Sequence, residues 1–242
     1  SMDFMYHLPN SLTRLHLIAN KKGKMSRLIQ EIKWPLVLGD FVFKNFNIDY
    51  RILELLNLEV SRLEAINIRG GNIKTFDIDL FPVSVKHLTL MEMGIQELPA
   101  SFERLKNLRK LSLMGNQLKA VNSVKLPASS LEALDIRQCD LRLISPFLVS
   151  MYEEKNKNAK LRIQATGNLN LSVIDVRKVM KAIKGLSLEL SKFDETLREI
   201  SNHSSRLSCM HGIFDPYADE TKASGKSDII LDYDSDDLYN GS

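Results

Sequence analysis

The aliphatic positions of the chain recur in blocks. Leu12, Leu15 and Leu17, followed by Asn20, are spaced as L-x-x-L-x-L-x-x-N. Leu38, Phe41, Phe43 and Phe46 repeat the pattern, as do Leu63, Ile66 and Ile68, then Val85, Leu88 and Leu90. Leu108, Leu111 and Leu113, and then Leu131, Leu134 and Ile136, continue it. A seventh, weaker copy reads Leu161-x-Ile163 and closes near Asn168-Leu169. The first six copies start at residues 12, 38, 63, 85, 108 and 131, a period of 22 to 26 residues. Within each copy the two middle aliphatics alternate with polar residues, which is strand periodicity. So short a strand cannot bury its apolar side alone. Stacking the copies merges the aliphatics into one core and pairs each strand in parallel with the next. The rest of each copy must return the chain around the outside. Met25 to Ile32 and Tyr50 to Leu58 have helical apolar spacing, whereas Thr75 to Phe81 is too short for a good helix and Pro82 would end one.

The stretch Ile95-Gln-Glu-Leu98-Pro99-Ala-Ser-Phe102-Glu-Arg-Leu105-Lys-Asn-Leu108 carries the repeat most fully. It resembles the 23-residue intracellular type of the leucine-rich-repeat superfamily, and the resemblance covers roughly Leu8 to Leu171. It implies an α/β leucine-rich-repeat solenoid, with parallel strands on the concave face and helices and loops on the convex face. It also implies an asparagine at the ninth position of each copy, bonding the backbone of neighbouring turns. Asn20 and Asn116 fit; Phe46, Gly71, Met93 and Cys139 stand there elsewhere. An irregular curve, with lost or water-substituted backbone hydrogen bonds, is the expectation, and Cys139 reads as a small buried filler.

Three segments follow from the pattern: repeats over 1–171, a capping segment over 172–210, and an acidic, disordered tail over 211–242. The first copy has no polar segment ahead of it, so either Met5, Tyr6 and Leu8 form a crude lid or the protein continues upstream; the need for a cap favours continuation. Ser172 to Lys184 reads as an amphipathic helix stopped by Gly185, Leu186 to Leu190 as a last strand, and Phe193 to Leu207 as another helix.

Composition is that of an ordinary globular protein, 44% hydrophobic and 26% charged. The net charge of +3 hides an asymmetry. From His211 onward eight acids face Lys222 and Lys226, a balance of −6, which leaves +9 on the preceding 210 residues. No apolar run approaches the roughly 20 residues of a membrane span, and the start lacks a signal-peptide pattern. Two unpaired-looking cysteines, Cys139 and Cys209, favour a reducing cytoplasmic or nuclear compartment.

Residues between the strand aliphatics should line the concave face and meet a protein partner: His16, Val42, Asn67, Thr89, Ser112, Asp135 and Arg162, flanked among others by Lys44, Arg69, Arg109 and Arg137. Their mixed signs suit a protein better than a phosphate backbone, and stacking aromatics are missing beside the basic loops. In the tail, Asp228-Ile229-Ile230-Leu231-Asp232-Tyr233-Asp234 resembles a SUMO-interacting motif, which implies that Ile229, Ile230 and Leu231 add a strand to an open sheet edge while Asp232 and Asp234 meet basic residues. The alternative is a solvated tail, or a strand docked on its own domain.

The five histidines show no metal-ligand spacing with the cysteines, and no phosphate loop or nucleophile elbow is present. Ser112, His87 and Asp135 could approach one another on adjacent strands, but two polar neighbours on a sheet face are commonplace. A non-catalytic adaptor domain needing no cofactor or metal is the first expectation. A substrate-recognition domain of an F-box-type ubiquitin ligase and a nucleic-acid or chromatin-binding domain are the rivals.

Overall fold

The computed structural model describes residues 3–23, 29–118, 121–150, 161–183, 186–190, 207–208 and 228–233. Among these residues ten strands form one all-parallel sheet in the order β10-β1-β2-β3-β4-β5-β6-β7-β8-β9. They are β1 (Arg14–Gly23), β2 (Asp40–Ile48), β3 (Ala65–Gly71), β4 (His87–Met91), β5 (Lys110–Ser112), β6 (Ala133–Asp135), β7 (Arg162–Gln164), β8 (Ser187–Glu189), β9 (Leu207–Ser208) and β10 (Asp228–Tyr233). From β1 to β9, strand order is chain order, as a solenoid requires. The fold is an α/β leucine-rich-repeat solenoid.

The register confirms the repeat. Leu15, Phe41, Ile66, Leu88, Leu111, Leu134 and Ile163 are successive partners across the sheet. These residues join Leu17, Phe43, Ile68, Leu90, Leu113 and Ile136 in one core that runs from Met5 to Leu190. Aromatic rings thicken it at the N-terminal end, where Trp34 meets Phe41 edge-on, Phe41 stacks on Phe43, and Phe43 on Phe46 at centroid distances of 4.9, 5.6 and 4.3 Å.

The seventh copy sits two residues later than its first aliphatic indicates. Ile163 pairs with Leu134 and Gln164 with Asp135, so the middle pair is Ile163 and Ala165. Leu161 instead takes the second position of the repeat, where other copies carry Thr13, Glu64, Lys86, Arg109 and Glu132. Asn168 thereby reaches the ninth position and does what an asparagine should there. Its Oδ1 accepts from the Cys139 and Leu141 amides, and its Nδ2 donates to Ile136 and Ala165 carbonyls. Asn116 does the same, accepting from Met93 and Ile95 and donating to Leu90 and Leu113. The side chain of Asn20 lies outside the described residues.

Beside Met93, where the amide is missing, the expected loss of hydrogen bonds does not occur. The Gly71 and Ile73 amides donate to the backbone carbonyls of Glu92 and Met93 instead, at 3.2 and 2.8 Å. This needs close approach: a Cβ on Gly71 would meet the Ile48 carbonyl oxygen at 2.6 Å. Just before the ninth position the chain turns through left-handed backbone in copy after copy, at Asn45, Gly70, Glu92, Gly115, Gln138 and Gly167. Three of the six are glycine, the residue for which that conformation is unstrained.

On the convex side, α1 (Tyr50–Leu55) is capped by Asp49, whose carboxylate accepts from the Ile52 amide at 2.8 Å. It is shorter than its apolar spacing predicts because Asn57 turns left-handed and a 3-10 turn, Leu58–Val60, follows. Residues 29–32 are not helical, contrary to expectation. There the Ile32 amide donates to the Leu55 carbonyl and the Trp34 indole to the Leu56 carbonyl, tying an irregular segment to the next coil. The remainder of that expected helix, 25–28, lies outside the described residues. Ile78–Leu80 forms only a 3-10 turn.

At the C-terminal end α2 (Val173–Ala182) begins at its Ser172 cap and buries Val176, Val179 and Met180, as its apolar spacing predicts. β8 forms where a strand was expected but is not the last, because β9 pairs beyond it; the helix expected over 193–207 falls outside the described residues up to 206, and Leu207 opens β9 instead. At the other end a 3-10 turn, Asp3–His7, buries Met5 fully against the core, with Tyr6 and Leu8 packed beside it. Six residues of the segment expected to be disordered are ordered as β10, paired with β1.

Candidate protein-binding face

Three rows of side chains cross the concave side of the sheet. The central row is His16, Val42, Asn67, Thr89, Ser112, Asp135 and Gln164, one per strand. Gln164 stands where Arg162 was expected, for the register reason given above. Arg162 belongs to the row before it, with Arg14, Asp40, Ala65, His87, Lys110 and Ala133. Lys44, Arg69 and Met91 lie in the row after it, and Arg137 holds the equivalent place in the sixth copy.

The central row is not the open wall that alternation alone predicts. Asn67, Thr89, Ser112 and Asp135 are 2 to 5% exposed, because strands in a sheet lie only about 4.8 Å apart and longer neighbours cover the short side chains. Exposed surface lies on the flanks, where Arg109 and Arg162 are open and Lys44, Arg69 and Arg137 half-buried.

Asp135 organises the buried row. Its Oδ2 accepts from Ser112 Oγ at 3.0 Å, and its two oxygens take Arg137 in a paired fork, both at 2.8 Å. The hydrogen bond that Arg137 donates to Asp135, opposed by burial, raises the guanidinium above its ordinary value. This geometry also disposes of the serine, histidine and aspartate as a relay. The serine hydroxyl goes directly to the carboxylate, and His87 stands in another row, opposite Lys110.

Cys139, in the ninth position of the sixth copy, is fully buried. Its thiol donates to the carbonyls of Leu113 and Arg137 at 3.1 and 3.3 Å, one of them the kind of carbonyl that Asn116 and Asn168 serve. Burial first of all pushes it up to about 12, so it carries no thiolate at neutral pH.

The upper flank is a strip of alternating sign. Lys86 pairs with Glu64 at 2.8 Å, and Arg109 reaches Glu132 at 3.9 Å. On the lower flank Arg69 pairs with Glu92 at 2.8 Å. Thr13, Arg14, Asp40, Glu64, Lys86 and Arg109 line a polar cleft of about 380 Å³ at the N-terminal ends of the strands. His16 Nε2 lies 3.3 Å from Asp40 Oδ2 beside it.

Six buried side-chain polar atoms have no hydrogen-bond partner among the described residues, and five belong to this face: Thr13 Oγ1, Asp40 Oδ1, Asn67 Oδ1, Arg69 Nε and Gln164 Oε1. Sequence reasoning missed Thr13 and Gln164. The constant spacing back from Asn168 would have found the second.

Among the described residues no group of three histidine, cysteine or acidic side chains is placed to hold a metal ion, and no helix is long and apolar enough to cross a membrane.

Fold and face together define a leucine-rich-repeat solenoid with a polar concave surface. Over 91 residues, 37% of its length, the chain is 34% identical to Disease resistance protein RML1A of Arabidopsis thaliana. It spans 9% of that protein's length. No family model matches the chain.

Proposed function

We propose that the chain is a non-catalytic protein-interaction module of a regulatory or adaptor protein, and that it holds its partner on the flanks of the concave face. The observation that carries this reading is the set of five buried polar atoms there without partners. A buried polar group left unsatisfied costs about 1–3 kcal/mol, and native structures carry few of them. Three of them, Thr13 Oγ1, Asp40 Oδ1 and Arg69 Nε, belong to flanking residues that are themselves only partly buried, so a small side-chain shift brings them to a partner's polar groups. Around them the charges alternate in sign, the arrangement that gives a protein partner register and selectivity; a phosphate backbone would call for one sign. Similarity to a short stretch of a disease resistance protein fits a module carried within a longer chain.

Reversing charge at Lys44, Arg109 and Arg162 together tests it, since all three are at least partly exposed and none belongs to the Asp135 cluster. Interactors captured by the wild type should be lost from the triple variant, with circular dichroism unchanged. Interactors that survive this change but are lost on Arg51→Glu, on the convex α1, would overturn the assignment.

A further inference from the structure

The strand at the outer edge of β1 comes from the far end of the chain. Arg14 pairs with Asp228, Leu15 with Ile229, His16 with Ile230, Leu17 with Leu231, Ile18 with Asp232 and Ala19 with Tyr233, parallel and without a slip. By register, Ile229 extends the row of Leu15 and Phe41, and Leu231 that of Leu17 and Phe43. Asp228 joins the row of Arg14, and Asp232 that of Ile18 and Lys44. The segment Asp228-Ile-Ile-Leu-Asp-Tyr233 is thus written in the order of a repeat strand, as in Lys110-Leu-Ser-Leu-Met-Gly115. Charge agrees with register at the first pair, where Asp228 stands opposite Arg14.

Chain length permits the same molecule to supply this strand. Nine inter-strand steps separate β10 from β9, about 43 Å at roughly 4.8 Å each. The 19 residues between Ser208 and Asp228 reach about 66–72 Å when extended. A tether of that length holds the segment near the edge at roughly millimolar effective concentration.

We propose that the outer edge of β1 is a strand-acceptor site for extended segments of the order acid–aliphatic–x–aliphatic–acid, and that residues 228–233 of the same chain are its resident ligand. Without them β1, ten residues long, would present unpaired N–H and C=O groups, the template on which sheets aggregate. The aliphatic-acidic motif is therefore spent on its own solenoid, and an outside acceptor such as SUMO must compete with β1 for it. The proposal does not depend on how the concave face is used.

The test uses the full chain with the double substitution Ile229→Asp and Leu231→Asp, and a fluorescent peptide spanning residues 226–238. In the wild type, amide exchange over Arg14–Ala19 should be slow and the peptide should bind poorly. In the variant, exchange there should quicken and the peptide should bind about tenfold more tightly or better, as release of a tethered competitor requires. The same peptide with both substitutions should not bind. Equal exchange in the two proteins, or no peptide binding to the variant, would overturn the acceptor site. A wild-type dimer that dissociates on the double substitution would overturn its occupation by the same chain.

Discussion

The two halves of the solenoid solve one problem in different ways. After each strand the chain leaves the sheet, and the amides of the turn need acceptors. In the C-terminal half side chains provide them: Asn116 serves the turn of Met93 and Ile95, and Asn168 that of Cys139 and Leu141. There β5, β6, β7 and β8 are three residues each. In the N-terminal half Phe46, Gly71 and Met93 offer no such acceptor, and beside Met93 the backbone carbonyls of Glu92 and Met93 take the amides of Gly71 and Ile73. The strands there are longer, ten, nine, seven and five residues from β1 to β4. The amide is not the whole account of strand length, because β5 stops after three residues opposite Cys139, and the backbone ladder runs on at Ile136 and Gln138 although Asn168 serves that turn.

Three substitutions bear on that difference. Asn116→Ala should do the most damage, because it strands two amides and leaves the Leu90 and Leu113 carbonyls without their donor. Roughly 3–5 kcal/mol should be lost in urea unfolding, and a loss under about 1 kcal/mol would show that backbone can replace the amide here as well. Gly71→Ala attacks the other solution, pressing a methyl group on the Ile48 carbonyl and on Met93. About 2 kcal/mol is expected; a neutral result would mean the coils have slack between them.

Cys139 gives no effect of this kind near neutral pH, and one that grows only above pH 9. Its thiol lies at about 12 in the fold against 9.0 ordinarily. Below 9 both states keep the proton and its contribution is intact. Above 9 the unfolded chain ionises first, so wild-type stability should fall by about 1.4 kcal/mol per pH unit towards 12, relative to Cys139→Ala. Parallel curves for the two proteins would contradict the buried thiol.

Most of this architecture is readable from the chain because aliphatics at fixed spacing can share only one interior. Six copies place six strands in register without further information. The seventh misleads because Leu161 mimics the first of the middle pair, whereas it fills a position that is charged or polar in most other copies. Strand length is not legible, since it depends on which neighbouring carbonyl can approach, and that turns on a glycine such as Gly71. Exposure in the concave face was also hidden. Alternation tells which side a residue takes; how far Arg137 leans over Asp135 depends on packing between copies. The tail carried its signal in plain view, as Ile229 and Leu231 at strand spacing, but the same letters serve an outside partner or the chain's own edge.

The shielded row of Ser112, Asp135 and their neighbours has a consequence for how such a molecule could change its allegiance. Because that row is locked beneath its flanks, it serves as a fixed rail within the face. New specificity can then be written on the flanking side chains one residue at a time, with the rail left undisturbed.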